Sequence, residues 1–263
     1  MLQTIIDQEA PLICKWLQIN KLTLNTQKTV YQVYKFTSIE TDLVVKLNGA
    51  EIKEENSVKY LGMFIDAKLK WSAHIDHLSL ILSRNIGILN RSKFFLNKQT
   101  MLLLYNALIL PYISYCCLVW GFTFPTYVNK IEILQKRAIR MIDYQHRLAH
   151  SDPIFLSLKI IKVRDIAKQQ LITVMHRKLN GSLPSDLNML FTLSPTPGII
   201  TRNRQHFDET FSTKRYRTRI ASWMGPRLWN SLFVSHLLIV ELENMSKETI
   251  KNYTKQQLLL SYR

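Results

Sequence analysis

The sequence predicts an α+β protein, with a few short strands near the N-terminus and a mostly helical remainder. The dipeptide Asn48-Gly49 lies between short apolar runs in DLVVKLNGAEIK, and this is the strongest short-range signal for a β-hairpin. After Asp66 the β-branched and aromatic runs typical of strands almost vanish. From Trp71 onward, apolar residues recur at the spacing of amphipathic helices. The strands are therefore expected first and the helices after them.

One helix and further strands are predicted before Asp66. The apolar spacing of PLICKWLQI predicts a helix over residues 11–19 that ends at Asn20. The run TVYQVYKF is typical of a strand, and SVKYLGMFI, residues 57–65, predicts another. Asp66 follows that strand, in a position where we expect a turn residue or a helix cap.

Helical periodicity dominates the chain up to Gly181. Apolar residues close to a 3.6-residue repeat predict helices at residues 71–96, 98–120 (broken near Pro111), 126–144, 163–179 and 245–260. Asn180-Gly181 provides a stop signal for the fourth of these helices. The prolines and Gly198 predict a loop over 182–219, in which basic residues lie close together. We accordingly divide the chain into residues 1–67, 68–181 and 182–263.

The charge of the chain predicts a polyanionic partner. The 263 residues contain 35 Lys and Arg against 19 Asp and Glu, a net charge of +16 at pH 7. An excess of this size attracts nucleic acid or an anionic membrane surface. The three cysteines form no C-x-x-C pair, so neither a disulfide framework nor a zinc ribbon is predicted, and a reducing compartment is expected.

Residues 101–120 are the only segment that suggests a membrane span. The stretch MLLLYNALILPYISYCCLVW is long enough to cross a bilayer, and a basic membrane-attached protein is one alternative that liposome flotation can test. The segment also contains Asn106, Pro111 and Ser114, so we expect a buried pair of helices broken near Pro111 and no membrane partner. No signal peptide is predicted at the N-terminus, which indicates an intracellular location, in the cytoplasm or nucleus.

Two basic segments are candidates for nucleic-acid binding. In residues 202–219 aromatic side chains alternate with basic ones that suit phosphate contacts, and the predicted ligands are Arg202, Arg204, Arg215, Arg217 and Arg219. The helix at 126–144 carries Lys130, Lys136, Arg137 and Arg140 beside its apolar face, and its predicted ligands are Lys136, Arg137 and Arg140. The alternative for both segments is a solvated charged surface.

Metal-binding patterns are weak. Asp66 and Asp76 have no paired-acid motif, and His74-x-x-His77 lacks a third ligand nearby. We therefore expect no metal ion and no cofactor to be bound by this chain.

The order of several segments resembles the C-terminal part of reverse transcriptases from non-LTR retrotransposons, of the LINE-type, jockey-like group. The resemblance runs from about residue 11 to the end and depends on the ordered set WLQINKLTLNTQKT, KYLGMFID, LKWSAHI, LLLYNALILPYISYCCLVWG, LQKRAIRMI and GPRLWNSL. It implies that residues 1–67 are the edge of a polymerase palm and that 68–181 are thumb-like. Residues 182–263 would be a basic C-terminal region.

The resemblance also implies roles for single residues. Lys28 in LNTQKT matches the lysine of polymerase motif D, which is proposed to protonate the leaving pyrophosphate. Tyr60, Leu61 and Gly62 match the primer-grip hairpin, motif E, where Gly62 would allow close approach to the primer. The implied partner is an RNA and DNA template-primer, and no small molecule is expected.

The same resemblance implies that the catalytic aspartates, which hold Mg²⁺ in the intact family, lie upstream of residue 1. We therefore expect a nucleic-acid-binding fragment of an RNA-directed DNA polymerase that is inactive alone. The alternative is that the chain is part of a full-length active enzyme, which an upstream paired-aspartate motif would reveal.

Overall fold

A computed structural model describes residues 2–34, 43–194, 207–209, 220–232 and 245–262 of the chain. The chain forms two compact units, Met1–Asp76 and His77–Arg263. Few short strands and many helices make up the described residues, as the α+β prediction requires. The division at residues 67 and 181 and the palm and thumb assignments stay predictions.

The first unit combines one helix with two small sheets. Its elements are α1 (Leu2–Ile19), β1 (Val30–Tyr31), β2 (Val45–Leu47), β3 (Ala50–Glu54), β4 (Ser57–Tyr60) and β5 (Met63–Asp66). Strand β3 is central in the first sheet, parallel to β1 and antiparallel to β2. Helix α1 packs on β2, so that Ala10, Leu47 and Ile52 form a small buried core.

Both hairpins of this unit turn on residues with positive φ. Asn48 and Gly49 have φ of 51° and 77° and join β2 to β3, which confirms the predicted hairpin. Leu61 and Gly62 have φ of 46° and 84° and join β4 to the antiparallel β5. The prediction of one strand over 57–65 is therefore wrong, because Leu61-Gly62 adopts the left-handed conformation that a tight two-residue turn requires.

The second unit is helical where the structure describes it. Helix α2 (Ser72–Ser92) begins in the first unit and continues into the second. The other helices are α3 (Lys98–Leu108), α4 (Leu110–Ser114), α5 (Cys117–Trp120), α6 (Pro125–Ile142), α7 (Asp152–Ser157), α8 (Val163–Leu179), α9 (Ser185–Asn188), α10 (Ala221–Leu232) and α11 (Lys247–Leu260). The predicted helices at 71–96, 126–144, 163–179 and 245–260 are confirmed to within a few residues.

Helix α8 is the centre of the second unit, since α4, α5, α6, α10 and α11 all pack against it. A helix surrounded in this way needs apolar residues on several faces, and Val163, Ile166, Leu171 and Met175 are all buried. Helix α10 approaches so closely that a Cβ on Gly225 would lie 2.7 Å from the Met175 sulfur. A side chain at position 225 would therefore force the Met175 side chain to shift.

The apolar segment 101–120 is broken twice. Helix α3 ends at Leu108, and Pro111 lies in the first turn of α4, where its missing N–H removes no hydrogen bond. A second break follows at Cys116, which has a φ of 48°, and Cys117 begins α5 as a buried residue. Among the described residues, no helix is long and apolar enough to cross a membrane.

Two other expectations need correction. Helix α1 begins at Leu2, so Pro11 lies inside the helix and not at its start. The segment GPRLWNSL lies in α10, for which no helix was predicted. The predicted loop 182–219 contains the short helix α9 and a bridge between Leu193 and Phe207, while 195–206 and 210–219 lie outside the described residues.

Candidate nucleic-acid interface

The excess of positive charge lies in the second unit. Residues 1–76 contain nine lysines, no arginine and nine carboxylates, whereas residues 77–263 contain 26 basic and 10 acidic side chains. The whole excess of 16 positive charges therefore lies in the second unit, and the first unit is neutral. Long-range attraction of a polyanion is expected from the second unit alone.

Helix α6 divides into a buried face and an exposed one. Its buried face consists of Val128, Ile131, Gln135, Ala138, Ile139 and Ile142. On another face Lys130, Ile133 and Arg137 are exposed, at the three- and four-residue spacing that aligns side chains along a helix. We call these three residues the α6 strip.

Lys136 and Arg140, two of the predicted ligands, are held by contacts within the protein. The Lys136 ammonium lies 2.7 Å from the Glu132 carboxylate, which also accepts a 3.0 Å hydrogen bond from Arg164 Nε. Burial raises the pKa of Glu132, but the hydrogen bonds from Lys136 and Arg164 outweigh it, so the pKa lies below its ordinary value. One carboxylate is thus shared by two cations.

Arg140 fixes the segment that follows α6. Its Nε donates a 2.7 Å hydrogen bond to the carbonyl oxygen of Ala149. This contact folds the intervening segment back toward the helix and leaves Arg147 exposed within it. Arg137, the remaining predicted ligand on α6, is exposed on the strip. Of the three predicted α6 side chains, Arg137 is therefore the one most available to a partner.

The residues implied by the motif resemblance all lie in the first unit. Lys28 is exposed in a turn before β1, where its backbone N–H donates to Asn25 Oδ1 at 3.1 Å. Tyr60 and Leu61 are 63% and 73% exposed at the tip of the β4–β5 hairpin. A glycine at position 62 is explained by the turn itself, because Gly62 has a positive φ there. Whether these residues contact a primer stays a prediction.

The five loop arginines, Arg202, Arg204, Arg215, Arg217 and Arg219, lie outside the described residues. Within the part of the chain that the structure describes, no group of three His, Cys, Asp or Glu side chains could hold a metal ion. Asp66 has the turn role predicted for it, because its carboxylate accepts hydrogen bonds from the backbone N–H groups of Lys68, Lys70 and Trp71.

Sequence comparison shows which known proteins this chain is similar to. It is 27% identical over 172 residues to the RNA-directed DNA polymerase from mobile element jockey of Drosophila funebris, and this match covers 61% of the chain. The corresponding jockey protein of Drosophila melanogaster is 29% identical over 126 residues, 46% of the chain. The resemblance to jockey-type retrotransposon polymerases is confirmed.

The chain is also similar to a polymerase from a different transposon. The protein described as the probable RNA-directed DNA polymerase from transposon X-element of Drosophila melanogaster is 24% identical over 126 residues, again 46% of the chain. The matched part spans 18% of the Drosophila funebris jockey protein and 14% of each of the other two. No protein-family model matches the chain. No solved structure matches it either.

Sequence reasoning missed one group of basic residues. Lys247, Lys251 and Lys255 recur every four residues on α11 and line one cleft with Lys159. The spacing is visible in the sequence, but nothing in the sequence places Lys159 beside it.

Proposed function

We propose that this chain binds the sugar-phosphate backbone of nucleic acid through the α6 strip, as part of a retrotransposon RNA-directed DNA polymerase. The observation that carries the proposal is an exposed basic strip on a helix of the unit that holds the whole charge excess. The kinship with jockey-type polymerases supports a nucleic-acid partner.

The geometry of the strip suits a phosphate backbone. Lys130 and Arg137 are seven residues apart, which corresponds to about 10 Å along a helix. Successive phosphates of one DNA strand follow each other at about 3.4 Å of helix axis. Two long cationic side chains on one helix can therefore reach different phosphates of the same strand. Ile133 lies between them and adds an apolar contact without a charge. Contacts of this kind carry no sequence information.

Arg147 is a further exposed cation in the segment that follows α6. The hydrogen bond from Arg140 to Ala149 holds the segment that carries it. Arg140 thus acts through position and not through contact with the ligand. Lys136 is occupied by Glu132, so its charge is partly neutralised before any partner arrives.

The test compares two kinds of α6 cation. The double variant Lys130→Gln/Arg137→Gln should weaken binding to a labelled RNA–DNA hybrid and to duplex DNA alike. If each side chain contacts one phosphate, the slope of log K against log salt should become less steep by about 1.8. Fluorescence anisotropy at several salt concentrations measures both quantities.

Lys136→Gln is the matched control, because it removes one positive charge from the same helix at a position already paired with Glu132. It should change the slope by clearly less than half of the change caused by the double variant. Equal slopes for the strip variant and the unmodified protein, with unchanged affinity, would show that the strip is not the binding surface.

The arginines of 202–219 are the competing surface. Four contacts by Arg202, Arg204, Arg215 and Arg217 would contribute about 3.6 to the slope. Replacing those four by Gln should therefore flatten the slope more than the strip variant does, if both surfaces bind. A loop variant with full affinity would assign binding to α6 alone.

A further inference from the structure

A lysine-lined cleft lies in the second unit, apart from the α6 strip. Its volume is about 930 Å³, and it is bounded by α3 and α4 on one side and by residues 158–161, α8 and α11 on the others. Four lysines line it, Lys159, Lys247, Lys251 and Lys255, and among its described lining residues Glu248 is the only carboxylate. The cleft is therefore strongly positive.

The arrangement of these lysines places like charges together. Lys247, Lys251 and Lys255 follow each other at intervals of four residues on α11, so they share one helix face. Lys247 also lies in the first turn of α11, just after the N-cap Ser246, where the helix dipole disfavours a cation. An anion in the cleft would relieve both kinds of repulsion.

Lys159 brings a fourth charge to the same place from another segment. It lies just after α7 and has a backbone φ of 52°, which residues other than glycine rarely adopt. Burial, followed by the charges of Lys251 and Lys159, lowers the pKa of Lys255 below its ordinary value. The charges that act on Lys255 are thus cations from its own helix and from the segment after α7.

The lining of the cleft is not only cationic. Leu110 and Ile160 provide apolar surface, and Asn106 and Asn252 provide amide groups. Gln169 on α8 donates a 2.8 Å hydrogen bond to the carbonyl oxygen of Lys251, which fixes α11 against α8. A site with a rigid frame, cations, amides and apolar surface suits a ligand that combines phosphates with a planar ring.

From this geometry we infer that the cleft binds a nucleotide unit, with its phosphates on the four lysines and its base and sugar on the apolar and amide lining. The unit can come from a free nucleotide or from the end of a single strand, since the recognised chemistry is the same. This site is separate from the α6 strip, because no residue of α6 lines the cleft.

The experiment uses the whole chain and four probes of defined chemistry. They are a 5′-phosphorylated trinucleotide, the same trinucleotide without the 5′-phosphate, a nucleoside triphosphate, and inorganic triphosphate. Dissociation constants come from calorimetry. The phosphorylated trinucleotide is expected to bind at least about tenfold more tightly than its unphosphorylated form, since at least one more charge meets the lysines. Protection of the lysines from an acylating reagent, read by mass spectrometry, locates the site.

The outcomes separate the possible sources. Tightest binding of the phosphorylated trinucleotide assigns a strand end, and tightest binding of the nucleoside triphosphate assigns a free nucleotide. Inorganic triphosphate binding as tightly as either would overturn the inference, because the ring would then contribute nothing. Protection of other lysines in place of these four would overturn it too.

The double variant Lys251→Gln/Lys255→Gln should lose at least about tenfold in affinity for the best probe, with an unchanged circular dichroism spectrum. Lys251→Arg/Lys255→Arg should restore most of that affinity. The matched control Lys46→Gln/Lys68→Gln removes two exposed lysines from the first unit and should leave the affinity unchanged. The α6 variant Lys130→Gln/Arg137→Gln should also leave it unchanged, so each proposal can fail without the other.

Discussion

The two units of this chain use their apolar residues in different ways. In the first unit, helix α1 exposes Ile5, Leu12, Trp16 and Ile19 to between 50% and 70%, while its opposite face covers a small cluster of three buried residues. In the second unit, α8 is enclosed by other helices and Trp120 and Trp229 are fully buried. The first unit therefore buries little apolar surface, whereas the second depends more on burial.

The polar groups show the same contrast. In the first unit, Gln32 donates to the carbonyl oxygens of Asn56 and Ile65 at 3.0 and 2.9 Å, and Gln32 is itself partly exposed. In the second unit, Gln135 is 1% exposed, and its amide joins three elements. A hydrogen bond exchanged with water contributes little net stability, whereas a buried group that loses its partner is costly. Polar substitutions should therefore cost more in the second unit.

The largest expected effect comes from a matched pair of tryptophans. Trp229 is 1% exposed and meets Phe207 edge to face with ring centroids 6.0 Å apart. Trp229→Ala should lower the free energy of unfolding by about 3–5 kcal/mol. Trp16 is 58% exposed, so Trp16→Ala should change the free energy of unfolding by less than about 0.5 kcal/mol. Urea unfolding followed by circular dichroism measures both. Similar losses for the two variants would remove the contrast between the units.

A smaller effect is expected at the buried amide. Gln135 donates to Tyr105 Oη and to the Ile161 carbonyl oxygen, and it accepts from the Val163 N–H, each at 2.9 Å. Gln135→Leu leaves these groups without their partner and should lower the free energy of unfolding by about 1–3 kcal/mol. Tyr105→Phe removes one partner only and should cost about 1 kcal/mol. A double variant that loses the sum of both would show that the two side chains are not coupled.

The smallest effect is a pH dependence at Glu132. Because its pKa in the folded chain lies below the ordinary value of 4.5, the unfolded chain binds more protons in the interval between the two values. Its contribution to stability is thus present above about pH 5 and lost as the pH falls through the folded pKa. Glu132 is partly exposed, so the loss should be at most about 1 kcal/mol. Glu132→Gln should flatten the curve of unfolding free energy against pH below about 5, and an unchanged curve would contradict the assigned cause.

The long helices could be predicted because each has a local signal. Helix α8 begins and ends where the sequence predicts, since Asn180-Gly181 follows its last turn and Gly181 has a φ of 63°. The break at Pro111 is likewise a property of one residue. The Asn48-Gly49 turn was predictable for the same reason. Each of these features depends on backbone preferences of adjacent residues.

The features that sequence reasoning missed depend on residues far apart in the chain. Gly225 indicates a close helix crossing only once Met175 is known to lie beside it. Tyr262 accepts a hydrogen bond from the Lys162 backbone N–H, and its hydroxyl also bonds the Asp165 carboxylate, 97 residues away. The α6 cations show the same limit, because composition gives their charge but not which of them Glu132 and Ala149 already hold.

The neighbouring residues Cys116 and Cys117 differ in burial, so their alkylation rates can report local opening of the second unit. Burial raises the pKa of the Cys117 thiol to about 12, whereas Cys116 is only partly buried. Alkylation proceeds through the thiolate, so an alkylating reagent should modify Cys116 in the native protein and reach Cys117 only when α5 opens away from α8. The Cys116 thiol therefore reacts in the folded state. The labelling rate of the adjacent Cys117 thiol reports how often α5 opens away from α8.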